Sequence, residues 1–175
     1  MTSEDIAKVD NWQSLVRVAH GMALEKGWWD DGIANRHLED IINNFHAEAS
    51  EAWEEYRAGR METWYSDMKA LLEGRLSKPE GFFVELADLL IRIADAAGAH
   101  RIDVDEQCTK FVSIEESIAF SIRRMHEWIA NYDFTLAADE CFALADDNNH
   151  DLWATIREKL SYNATRPYRH GGKRA

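Results

Sequence analysis

Residues 81–98 read Gly-Phe-Phe-Val-Glu-Leu-Ala-Asp-Leu-Leu-Ile-Arg-Ile-Ala-Asp-Ala-Ala-Gly, and no other stretch constrains the fold as strongly. Wound as a helix, this run is apolar on nearly every side. A helix is therefore expected over about Glu80–Ala97, central and buried, with Gly98 as its stop. Glu85, Asp88, Arg92 and Asp95 interrupt it too often for a membrane span. A helix that is apolar all round has to be covered by others, and the composition agrees. With 9 Gly and 2 Pro in 175 residues, the chain has too little turn material for a sandwich or barrel. Its 46% hydrophobic and 30% charged residues exclude a disordered or membranous chain. The expected class is all-α: one helical-bundle domain over residues 1–175, with 162–175 as a basic tail.

Other segments carry the helical period of apolar residues. Trp12, Leu15, Val16, Ala19, Met22 and Ala23 predict a first helix from about Asp10 to Gly27, followed by the loop Gly27–Gly32. Leu38, Ile41, Ile42, Phe45, Ala49, Ala52, Trp53 and Tyr56 predict a second over about Asn35–Ala58, stopped by Gly59. Met61, Trp64, Tyr65, Met68, Leu71 and Leu72 suggest a short amphipathic helix ending at Gly74, and Pro79 suits the opening of the buried helix. Ser113-Ile-Glu-Glu116 fits a capping box for a fourth long helix. Shorter helices are expected near Thr135–Asp146 and His150–Ser161, and Pro167, Gly171 and Gly172 forbid one continuous helix over 162–175.

Acids on two of these helices carry the chemistry. Asn44, Glu48, Glu51 and Glu55 follow i, i+4, i+7, i+11 and form one stripe beside the apolar face, while Glu54 points elsewhere. Glu85, Asp88, Arg92 and Asp95 form a second stripe at i, i+3, i+7, i+10. An acid stripe is ordinarily a solvated edge, and Glu85 and Asp88 can also be read as partners of Arg92 or another arginine. Against both readings, a carboxylate on a mostly buried helix costs several kcal/mol unless paired or metal-bound. A divalent cation between the helices resolves that cost for both stripes together. Oxygen donors of this kind suit Mg²⁺, with Mn²⁺ as a substitute. No histidine or cysteine cluster accompanies them to suggest zinc, and none of the 7 His has a Glu three residues before it, as a di-iron bundle would.

Charge is unevenly spread. Residues 157–175 hold six basic residues and one acid, a net +5, which leaves −17 on residues 1–156. The acidic body argues against nucleic acid or an anionic membrane as partner. Cys108 and Cys141 form no CxxC pair and the N-terminus has no signal pattern, so a reducing cytoplasm is the expected compartment.

Glu48-Ala-Ser-Glu51 followed by Glu85-Leu-Ala-Asp88 resembles the ExxE…ExxD signature of MazG-like nucleotide pyrophosphohydrolases, in the all-α NTP pyrophosphatase superfamily. Lys159-x-x-x-Asn163-x-x-Arg166, running into Pro-Tyr-Arg169-His-Gly-Gly-Lys173, is similar to the C-terminal segment of phage and bacterial members. Lys26-Gly-Trp-Trp29 and Lys78-Pro-Glu-Gly81 also look like those proteins, whereas residues 104–149 match no motif. One departure stands out: the family often carries an acid just before the first ligand, where this chain has Ala47.

The resemblance implies an enzyme that hydrolyses nucleoside triphosphates, ribo or deoxy, to monophosphate and pyrophosphate, in nucleotide-pool control or housecleaning. Glu48, Glu51, Glu85 and Asp88 would be both metal ligands and catalytic acids. Lys159, Asn163, Arg166, Arg169 and Lys173 would bind the substrate. A homo-oligomer, dimer or tetramer, is implied as well. Trp28 and Trp29 are candidates to stack on a base, Trp53 reads as core, His20 and Asn44 fall near the site, and Arg123-Arg124 read as a surface patch or salt bridges. The competing reading is a non-catalytic helical module that binds nucleotide or a protein partner.

Overall fold

A computed structural model describes residues 1–33, 36–100, 102, 104 and 117–172. The fold is all-α. The helices are α1 (Ser3–Ala7), α2 (Trp12–Glu25), α3 (Leu38–Arg57), α4 (Met68–Leu72), α5 (Phe82–His100), α6 (Ile118–Ala130), α7 (Phe134–Asp147), α8 (Leu152–Thr165) and the short turn α9 (Arg169–Gly172). Two-residue strands, β1 (Trp64–Tyr65) and β2 (Pro79–Glu80), pair antiparallel with Trp64 opposite Glu80. Among the described residues no helix is long and apolar enough to cross a membrane.

Helix α5 is the hub, as its composition requires. Twelve of its 19 residues are buried, and it packs against α2, α3, α7 and α8. Helix α6 closes the far side, lying on α3 and α7. Residues 118–147, which match no motif, thus cover two faces of the core with Ile122, Met125, Ile129, Phe134, Ala137 and Leu144. Side chains cap most of these helices: Asn11 accepts from Ser14 N, Asp67 from Ala70 N, Ser117 from Phe120 N and Asp151 from Ala154 N.

Three expectations need correction. Helix α5 does not stop at Gly98 but runs to His100. A Cβ at position 98 would lie 2.6 Å from the Cβ of His20, so the glycine lets α2 and α5 approach closely instead of ending the helix. The segment from Met61 is extended at Trp64–Tyr65 and becomes helical only at Met68. Long side-chain bonds hold it that way: Trp64 Nε1 donates to Glu55 at 2.9 Å, and the Tyr65 hydroxyl to Glu158 at 2.6 Å. Pro79 lies in β2 rather than at a helix start, opposite Tyr65. The expected cap at Ser113–Glu116 and the expected helix start at Asn35 lie outside the described residues.

Candidate functional site

The α3–α5 contact brings three of the acids together. Oxygens of Glu48, Glu85 and Asp88 all lie within 4.8 Å of one another. Each acid sits where its helix turns toward the other, one helical turn separating Glu85 from Asp88. Glu48 is 4% exposed and Glu85 3%, while Asp88 is partly open. Burial pushes the Glu48 carboxyl up to about 7; the charges of Asp88 and Glu51 add to the push and Arg92 opposes it. Burial, helped by Asp88, takes Glu85 up to about 8.

Two of the three acids have a cationic partner. Arg92, half exposed and one turn beyond Asp88, donates its Nε–H to Glu48. Lys159 Nζ lies 2.7 Å from Asp88 Oδ2. Among the described residues, no hydrogen-bond donor or ion-pair partner reaches the Glu85 carboxylate. A buried carboxyl in that state, with two others at hand and no nitrogen or sulfur ligand, has the donor chemistry of a hard divalent cation site. The residues present therefore fit Mg²⁺ or Mn²⁺.

The remaining acids of the two stripes go elsewhere. Glu51 is exposed and outside the trio, close enough for its charge to act on Glu48 and Glu85. Glu55 is held by Arg60 at 2.7 Å and by Trp64, bonds that keep its carboxyl below the usual range. Asp95 accepts from Trp29 Nε1 at 2.8 Å, pairs with Arg36 at 3.2 Å and lies 2.9 Å from His20 Nδ1. Buried and committed to Asp95, the Trp29 ring is no free platform for a base.

Beside the acids opens a pocket of about 220 Å³. Asp88 and Arg92 border it at the acid end, and Trp28, Arg36, Arg166 and His170 line it elsewhere. Trp28 meets His170 edge to face at 5.0 Å. Asn44 and Asn163 also line it, and Asn163 Oδ1 is buried without a partner among the described residues. Burial lowers the pKa of Arg166.

One wall of this pocket is the tail. Tyr168 packs so tightly on the turn after α2 that a Cβ at Gly27 would lie 1.9 Å from its ring, and Gly27 itself has φ +77°. The Tyr168 hydroxyl donates to Asp30 at 2.6 Å, and the Arg169 backbone N–H to the Lys26 carbonyl at 3.0 Å. Lys26 Nζ donates to the carbonyls of Ala164 and Arg166, satisfying the free end of α8. The loop and tail singled out in the sequence are thus one structural unit.

The expected substrate-binding residues separate accordingly. Asn163 and Arg166 line the pocket. Lys159 lies beneath the acids, 1% exposed, and Arg169 is committed to Asp31 at 2.6 Å and to the Gly27 carbonyl. Lys173 lies outside the described residues. Arg36 was missed: it sits between the Gly32 turn and α3, where no periodicity marks it, and only its stacking on Trp29 and bond to Asp95 aim it at the pocket. No family model, curated protein or solved structure matches this chain.

Proposed function

We propose that the protein is a Mg²⁺-dependent nucleoside triphosphate pyrophosphohydrolase, converting NTP or dNTP and water to nucleoside monophosphate and pyrophosphate, as its resemblance to MazG-like enzymes implies. The observation that carries this reading is the trio of Glu48, Glu85 and Asp88, whose member Asp88 also lines a pocket rich in arginine. Glu48, Glu85 and Asp88 would hold the cation, with Glu51 at the rim. When bound, the ion supplies charge neutralisation and activation of water. Arg36, Arg92 and Arg166 offer donors to a polyphosphate, and their planar forks suit its oxygens. Trp28 offers an aromatic edge or face to the base, and Asn44 and Asn163 offer hydrogen bonds to sugar or base.

A second reading has its own observation. Glu48 and Asp88 already have cationic partners in Arg92 and Lys159, which is what a helical module binding nucleotide without turnover would show. A panel of NTPs and dNTPs with Mg²⁺ or EDTA separates the two. Pyrophosphate release that needs Mg²⁺ and stops with EDTA is the expected result. Nucleotide binding with no pyrophosphate would establish the second reading in its place.

A further inference from the structure

Among the described residues, Lys159 is the most deeply buried charged side chain. Its side chain is among the largest fully buried ones, 1% exposed on α8. Its ammonium reaches Asp88 at 2.7 Å, with the Pro79 carbonyl at 3.4 Å as its other contact. A buried ammonium is costly unless an opposite charge compensates it. Here the compensation comes from one of the three carboxylates that fit a divalent cation. Lys159 also acts electrostatically on Glu85, opposing the upward shift that burial imposes. A compact point charge at this place does for the acids part of what a metal ion would do.

We propose that Lys159 is a built-in counter-ion: it holds the acid trio together without metal and competes with the divalent cation for Asp88, setting the metal concentration at which the site loads. The inference rests on the metal reading of Glu48, Glu85 and Asp88. It assigns Lys159 a positioning role within the protein, in place of direct contact with substrate phosphates. Two positive charges cannot share one carboxylate at short range without repulsion, and in a buried site that repulsion is weakly screened. Removing the ammonium should therefore lower the stability of the metal-free protein and tighten metal binding at the same time. A purely structural lysine predicts the opposite for the metal, because a slackened trio binds it less well.

The test is Mn²⁺ binding to the full chain, followed by the electron paramagnetic resonance of free Mn²⁺, with thermal unfolding measured in parallel. Lys159→Met should lower Tm without metal, bind Mn²⁺ on the order of tenfold more tightly, and gain more Tm from Mn²⁺ than the parent protein. If Lys159→Met does not fold, Lys159→Gln takes its place, since it keeps a donor for Asp88 while removing the charge. Affinity equal to or weaker than the parent's, in whichever variant folds, overturns the proposal. So does the absence of Mn²⁺ binding from parent and variant alike. A parent that binds Mn²⁺ yet releases no pyrophosphate from any nucleotide sinks the enzymatic reading and leaves this one standing. A parent that turns over nucleotide while the variants bind Mn²⁺ no more tightly sinks this one alone.

Discussion

Glu85→Gln should reduce metal-dependent pyrophosphate release to background, and Asp88→Asn should do the same, while both proteins stay folded. Neither change alters side-chain volume, but Asp88→Asn should lower Tm, because it leaves the buried Lys159 ammonium without its counter-charge. Above pH 8, where Glu85 is ionised in the fold, Glu85→Gln should also raise the Tm of the metal-free protein, because it removes a buried charge that has no hydrogen-bond donor among the described residues. The pH dependence has a definite sign. Glu85 is raised to about 8 and Glu48 to about 7, so between those values and the ordinary carboxylate range the folded state binds protons that the unfolded chain has released. Stability conferred by the neutral acids is lost as pH rises through 7 to 8. Without metal, Tm should therefore climb as pH falls from 8 to about 6.5. Below that, His46, His126 and His150, whose pKa values burial lowers, begin to favour the unfolded chain and oppose the trend. Mg²⁺, which requires ionised ligands, should raise Tm more at pH 8 than at pH 6.5. Thermal unfolding at the two pH values, with and without Mg²⁺, checks this. Full activity in both variants would remove the acid trio from the reaction.

Arg124→Met should lower stability by about 3–5 kcal/mol, the cost of leaving a buried charge uncompensated. Glu140 on α7 is 3% exposed, and Arg124 on α6 donates to both of its oxygens, at 2.6 and 2.7 Å. The double variant Arg124→Met/Glu140→Leu should regain most of that loss, because no orphaned charge remains. Denaturant unfolding of the parent, the two single variants and the double variant measures the coupling. Equal losses in the double variant and Arg124→Met would mean that the orphaned Glu140 charge is not what costs the stability. The neighbouring Arg123 pairs with Glu127 on an exposed face, and an ion pair of that kind contributes little. Two adjacent arginines of like appearance in the sequence thus differ sharply in what they hold.

The parts of this arrangement that were legible in the sequence are those set by a single helix. Acids at i, i+3 within an apolar run announce carboxylates held close to the core, and Glu85, buried, and Asp88, partly open, are that pair. Lys159 and Asn163 do share a face of α8, one reaching Asp88 and the other lining the pocket, whereas Arg166 lines the pocket from extended backbone just past the end of the helix. What the wheel cannot give is depth. Lys159 lies under Asp88 and Arg166 lies in the open pocket because of how far α8 sinks against α5, which is a property of packing between helices. Glu55 belongs to the same stripe as Glu48 but is drawn off by Arg60 and Trp64, which lie beyond the end of the helix. Gly98 looks like a stop in one dimension and is a contact surface in three.

The docking of Tyr168 and Arg169 onto the turn at Gly27 has a consequence for the order in which the protein matures. Trp28 leaves the ribosome some 140 residues ahead of the His170 that it meets across the pocket, so the helical core has its sequence complete while the pocket still lacks a side. A chain halted just after Thr165 would keep every long helix of that core and have no clasp to shut the cleft.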